Sequence, residues 1–254
     1  VAVPTTSGTG SEVGRASVII DEAAQCKKVI FHPRMLPERV VADPALTVGL
    51  PAHLTAAVGM DALSHNLEAY CADWYHPMAD GIALEGMRRI DASLARAVHQ
   101  GDDLHARSEM MIASTMGATA FQKGLGAMHA IAHPIGAIHH TQHGLTNAVL
   151  MPYVLVFNRS AIEDKMAHLG RVLGLKKANF DGVLEWVLDL RQDIGIPHAL
   201  ADLGVGEGDV AQLAPLAAAD PSAGGNPIPL EVPQLAELIT RAVRGEIYSH
   251  NRSG

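Results

Sequence analysis

The chain has 254 residues, 48% of them hydrophobic, 18% charged and 4% aromatic, with a formal net charge of −8. That is enough apolar material for one large domain or two small ones, and it excludes a disordered or fibrous chain. An acidic balance without a Lys/Arg patch argues against a nucleic-acid surface. Two cysteines cannot build a disulfide framework and no run reaches about 18 uninterrupted apolar residues, so the expectation is a cytoplasmic protein with no membrane contact.

The opening stretch, VAVPTTSGTGSE, lacks an initiator Met and reads as the end of a β-strand entering a Gly/Ser/Thr turn. The expectation drawn from it is that preceding sequence is missing. Short β-branched runs follow at 16–21 (ASVIID), 27–33 (KKVIFHP) and 39–44 (RVVADP), bounded by Pro, Asp and charged residues. From about residue 52 the apolar spacing becomes three and four, which predicts helices over 53–74, 77–100, 103–122, 125–138, 144–157, 161–173, 182–193, 207–219 and 231–244. Gly/Pro punctuation at GIPHA (195–199) and DPSAGGNPIPL (220–230) separates the last of these. The expected fold is mostly α: an α/β remnant over 1–50 and an all-helical domain over 51–254.

Two stretches carry chemistry. In GMDALSHNLEAY (59–70), Asp61 and His65 stand four apart, so on a helix they share a face and can reach one cation. In GAMHAIAHPIGAIHHTQHG (126–144), His129 and His133 share a face by the same rule. His143 lies 14 residues beyond His129, roughly 21 Å away along a straight helix. Donors of one ion must lie within about 4 Å of each other. The chain must therefore turn back, and Pro134, as a helix breaker, with Gly136 and Gly144 is expected to allow it. A lone histidine in an apolar helix is ordinarily a core residue, and an Asp-x3-His pair can be a simple helix salt link. An aspartate in a buried-looking run needs a positive partner, however, and a second pair with a third histidine points to a metal site. Spacing alone does not choose between His129 and His133 as the ligand.

PTTSGTGSEV, GMDALSHNLEAY and GLGAMHAIAHPIGAIHHTQHGLTNAVLMPYVLVFN resemble the iron-containing (group III) alcohol dehydrogenase family, over essentially the whole chain. The resemblance implies a nucleotide-binding α/β domain before an all-helical one (dehydroquinate synthase-like architecture), with the active site in the cleft between them. It implies Asp61, His65, His129 and His143 as metal ligands, and His133 beside the metal and the nicotinamide as the candidate proton relay. By alignment it also implies cofactor contacts at Thr5, Thr6, Lys27, Leu46 and Gly49. The family's GGGS-type pyrophosphate turn is not among these residues, and Gln142 replaces the Pro that commonly precedes the last ligand histidine. His139 and His140 read as lining or surface groups.

The activity implied is hydride transfer between a small alcohol or aldehyde and NAD or NADP by a homo-oligomer, a dimer being the expectation. Three imidazoles and a carboxylate suit Fe(II) or Zn(II), and the resemblance favours Fe(II). Two alternatives stand beside this: a maleylacetate-reductase-like enzyme, which shares the fold without this ligand set, and a metal-binding helical domain without catalysis. A metallohydrolase is weaker, because it leaves the Thr5–Glu12 loop unexplained.

Overall fold

The computed structural model describes residues 1–21 and 26–248; the side chain of Lys27, expected to touch the cofactor, lies outside the described residues. Two strands, β1 (Ala16–Asp21) and β2 (Cys26–Phe31), pair antiparallel with Ala16 opposite Phe31. The strand expected over 39–44 reduces to one parallel bridge between Ala2 and Val40. Strand pairing needs a neighbour, and Pro44 removes a backbone donor and opens a 3₁₀ turn instead (Pro44–Thr47), capped by the Asp43 carboxylate accepting from Ala45 N.

The helical part is built around α1 (Ala52–Cys71). Most of its residues from Thr55 onward are buried, as expected of a helix surrounded by others. Around it pack α2 (Pro77–His99), α3 (Leu104–Ala120) and α5 (His143–Val172). Met60, Leu63 and Leu67 of α1 meet Met87, Ile90 and Leu94 of α2 and Leu150 and Tyr153 of α5 in a single core. The remaining helices are α4 (Ala127–His139), α6 (Phe180–Asp193), α7 (Val210–Ala218) and α8 (Val232–Arg244). At the C-terminal end of α1, Lys165 Nζ donates to the carbonyls of Tyr70, Cys71 and Ala72 at 2.8, 3.2 and 3.0 Å, placing a cation at the negative end of the helix dipole.

Two local expectations change. The helices expected over 144–157 and 161–173 are one helix, α5, because Asn158, Arg159 and Ser160 include neither Gly nor Pro to part them. And α4 runs straight through Pro134. Proline's fixed φ is compatible with a helix, and its costs are its own N–H bond and the approach of its ring to the Ala130 carbonyl one turn back. The chain reverses six residues later, where His140 takes a left-handed conformation (φ 55°). The Gln142 side chain then caps α5 by accepting from Leu145 N.

The Gly/Ser/Thr loop at the start of the chain is held on α3. Ser114 Oγ donates to Gly8 O and Thr115 Oγ1 to the buried Glu12 carboxylate, both at 2.9 Å. Gly10 lies at φ +66°, and a Cβ there would stand 2.5 Å from Ser114 O, so glycine is what lets the loop lie this close.

Candidate metal centre

Asp61 and His65 sit one turn apart on α1, 4% and 3% exposed. His129 enters from α4 with Nε2 3.0 Å from His65 Nε2. His143, the first residue of α5, brings Nε2 to 3.6 Å from Asp61 Oδ1. Donor atoms of Asp61, His65 and His129 all lie within 4.8 Å of one another. Two nitrogens bound to one cation at about 2.1 Å stand roughly 3.0–3.4 Å apart for angles of 90–109°. The His65–His129 separation falls in that range, so this imidazole pair fits one divalent ion, with the Asp61 carboxylate and the His143 imidazole beside it.

The protonation states fit as well. Burial pushes the Asp61 carboxyl up, but His65, His143 and His129 together with the Asn147 amide outweigh it and hold it below the usual carboxylate range. Burial, then the neighbouring His65 and His143, keeps the His129 imidazole well below its ordinary value and so neutral at pH 7. A metal requires those forms: an ionised carboxylate and a neutral imidazole.

Three supporting residues escaped the sequence reading. Glu68 Oε2 stands 2.6 Å from His129 Nδ1, while its other oxygen accepts from Met128 N at 2.7 Å. Asn147 Nδ2 lies 3.0 Å from Asp61 Oδ1, 3.2 Å from His129 Nε2 and 3.3 Å from His143 Nε2. Thr9 Oγ1 donates to Asp61 Oδ2 at 3.3 Å. As a carboxylate, Glu68 can only accept, so His129 carries its proton on Nδ1 facing Glu68, and Nε2 is the acceptor beside the Asn147 amide. Glu68 thus fixes the tautomer that leaves Nε2 able to bind a cation, a common arrangement for histidine ligands. Its sequence signal was available: Glu68 follows His65 by three and Asp61 by seven on one helix face.

Burial raises the Glu68 carboxyl to about 7, against the pull of the Met128 and Gly126 N–H groups. Below that value the acid form prevails, and above it the carboxylate that His129 needs as its partner. Metal uptake by the metal-free protein therefore strengthens as pH rises through about 7. Competition against a chromophoric chelator measures it, and affinity that stayed flat from acid to neutral pH would contradict the Glu68–His129 arrangement.

His133 lies one turn beyond His129, its ring stacked on His143 (centroids 5.4 Å apart, planes at 10°) and its Nδ1 2.9 Å from Asp220 Oδ2. All four histidines border a cavity of 720 Å³ that Thr9, Phe121, Leu125 and Ser222 also line. Thr5, Thr6 and Leu46 are exposed, a Cβ on Gly49 would meet open space, and none of the four lines this cavity. His139 pairs with Asp209 at 3.4 Å, away from the cluster. Among the described residues no helix is long and apolar enough to cross a membrane.

Residues 1–44 match the family described as iron-containing alcohol dehydrogenase, and residues 55–243 match the Fe-containing alcohol dehydrogenase family, C-terminal. The chain is 45% identical over 219 residues to a 4-hydroxybutyrate dehydrogenase of Cupriavidus necator, covering 82% of this chain and 56% of that protein. It is 37% identical over 250 residues to an NAD-dependent methanol dehydrogenase of Bacillus methanolicus, covering 96% and 66%. The fold superposes on the crystal structure of a 1,3-propanediol oxidoreductase with a TM-score of 0.91 at 38% identity, covering 95% of this chain and 65% of that one. The chain thus spans between about half and two thirds of the length of these relatives. With both family patterns matched in order and the histidine cluster lying within the second, this chain belongs to the iron-containing alcohol dehydrogenase family.

Proposed function

We propose that this protein oxidises a small primary alcohol, or reduces the corresponding aldehyde, with NAD or NADP as its partner, at the metal centre formed by Asp61, His65, His129 and His143. The observation that carries the reading is the convergence of three imidazoles on one buried carboxylate, the imidazoles lining a cavity large enough for a small alcohol and part of a cofactor. Relatives named as NAD-dependent methanol dehydrogenase and 4-hydroxybutyrate dehydrogenase support the substrate class. A cation held there, Fe(II) by family and Zn(II) as the competing metal, supplies Lewis-acid polarisation of the substrate oxygen, and the nicotinamide supplies the hydride acceptor.

The chain's own residues do the rest. Asp61 contributes the one negative charge among the four ligands, and Thr9 and Asn147 hold its two oxygens. Glu68 orients His129. Phe121, whose ring centroid lies 5.0 Å from that of His65, and Leu125 give the cavity an apolar wall that keeps bulk water from the reacting carbon. His133 faces the cavity within reach of a bound hydroxyl and takes up its proton. Residues 1–50 complete the dinucleotide side of the cleft, where Thr5, Thr6, Lys27, Leu46 and Gly49 contact the cofactor, and residues 51–254 form the catalytic domain. The scarcity of cysteine supports a cytoplasmic location, and the family supports a homo-oligomer.

The intact ligand cluster favours this reading over a maleylacetate-reductase-like enzyme. The deciding experiment is metal analysis joined to an anaerobic assay at the nicotinamide absorbance band. It uses added Fe(II), NAD or NADP, and methanol, 1,3-propanediol and 4-hydroxybutyrate as substrates. One metal per chain with alcohol-dependent reduction is expected. One metal per chain and no turnover with any pair would leave a metal-binding domain without catalysis.

A further inference from the structure

The geometry points to Asp220 as the positioning residue of His133: it fixes Nδ1 as the protonated nitrogen and so leaves Nε2 as the basic nitrogen that His133 presents to the cavity. The two residues are 87 apart in sequence, and nothing in the spacing of the motifs links them. Asp220 stands just before the 3₁₀ turn Pro221–Gly225, and its two oxygens have separate duties. Oδ1 accepts from Ser222 N at 2.8 Å, which anchors the carboxylate to its own turn. Oδ2 is left to His133 Nδ1 at 2.9 Å.

An ionised carboxylate can only accept. Burial alone would push Asp220 up, but the His133 hydrogen bond and the Ser222 N–H hold it below the usual range, so it is a carboxylate at neutral pH. His133 must then be the donor at Nδ1. Its ring has little freedom to turn away, because it is stacked on His143 and meets His129 at a steep angle with centroids 5.9 Å apart. Oδ2, the stack and the edge contact together leave one orientation and one tautomer.

The catalytic consequence rests on the dehydrogenase reading above. In alcohol oxidation the substrate O–H proton passes to His133 Nε2 while the O–H electron pair stays on the substrate oxygen. The imidazolium so formed has its Nδ1–H opposite the Asp220 carboxylate, and it later returns the proton to solvent from Nε2. Reduction of the aldehyde runs the same transfer backwards. The competing role for Asp220 is purely structural, a cap on the 221–225 turn, and a suitable substitution separates the two. In Asp220→Asn, the amide oxygen still caps Ser222 N, while the NH₂ group faces His133 Nδ1 and forces that nitrogen to become the acceptor.

Two readouts test this. Two-bond ¹⁵N–¹H correlation spectra of histidine-labelled, metal-free protein report which ring nitrogen carries the proton. The expected result is Nδ1–H for His133 in the native protein and Nε2–H in Asp220→Asn, with the melting temperature and the metal bound per chain unchanged. In turnover, Asp220→Asn is expected to lower kcat by about 100-fold, within the usual range for losing a general base, with little change in KM for the alcohol. Asp220→Glu, which keeps an acceptor, is expected to recover part of the loss. Nε2–H in the native protein would overturn the assignment, as would unchanged kcat in Asp220→Asn alongside a lowered melting temperature. Should the native protein turn over no alcohol, the dehydrogenase reading fails, and the tautomer spectrum alone decides whether Asp220 orients His133.

Discussion

Replacing Asp61 by asparagine is expected to release the metal while leaving the fold intact. The amide has the shape of the carboxylate: its oxygen can still accept from Asn147, 3.0 Å away, and its NH₂ can donate to the Thr9 hydroxyl instead of accepting from it, so the packing around α1 is preserved. What it lacks is the negative charge, and the three imidazoles left behind are neutral ligands only. Loss of a mere outer-shell partner costs about 10- to 100-fold in metal affinity or activity. Loss of the only anionic ligand in the cluster should exceed that, so metal per chain falls to near zero and alcohol-dependent reduction drops by at least about 100-fold. Metal analysis by mass spectrometry alongside steady-state kinetics gives the answer. Metal retained at the native level in Asp61→Asn would mean that the cation is held elsewhere.

Gly144→Ala is expected to weaken fold and site together. A Cβ at this position would stand 2.3 Å from Ala57 O and 2.8 Å from the Asp61 Cβ, and the first of these is backbone, which no rotamer change relieves. The start of α5 would have to move off α1, carrying His143 away from Asp61. Overpacking of this kind costs about 1–3 kcal/mol. For a chain of this size that corresponds to roughly 2–12 °C in melting temperature. Metal affinity should fall in the same variant. Gly81→Ala is the control: nothing lies within 4 Å of the new Cβ and the residue sits inside α2, so that change should be neutral or slightly stabilising. Equal melting temperatures and equal metal content for both variants would contradict the close approach of α5 to α1.

The contrast between these sites bears on what was legible in advance. Asp61 and His65 were readable as a pair because a helix brings residues four apart onto one face whatever surrounds it. The division into a β-containing start and a helical remainder was readable for the same reason, since it rests on periodicity within each segment. The strand expected over 39–44 failed because a strand is completed by its neighbour, and among the described residues only Ala2 lies beside Val40. The spacing of His129 and His143 requires a turn back, expected at Pro134 with Gly136 and Gly144, whereas the left-handed residue is His140, one of two adjacent histidines between which spacing does not choose.

His129 and His133 show the limit most clearly. They share a helix, a face and a spacing relation, so the sequence by itself determined that one or both could meet Asp61 and His65, and family resemblance had to choose between them. The tertiary structure separates them through residues far away in the chain: Glu68 behind one imidazole, Asp220 behind the other. Thr9 and Asn147 likewise gain their places only where loop, α1 and α5 converge. Local spacing determines which side chains share a helix face, because backbone geometry repeats. Which nitrogen carries a proton, and which carboxylate stands behind it, is decided by contacts between segments that only packing brings together.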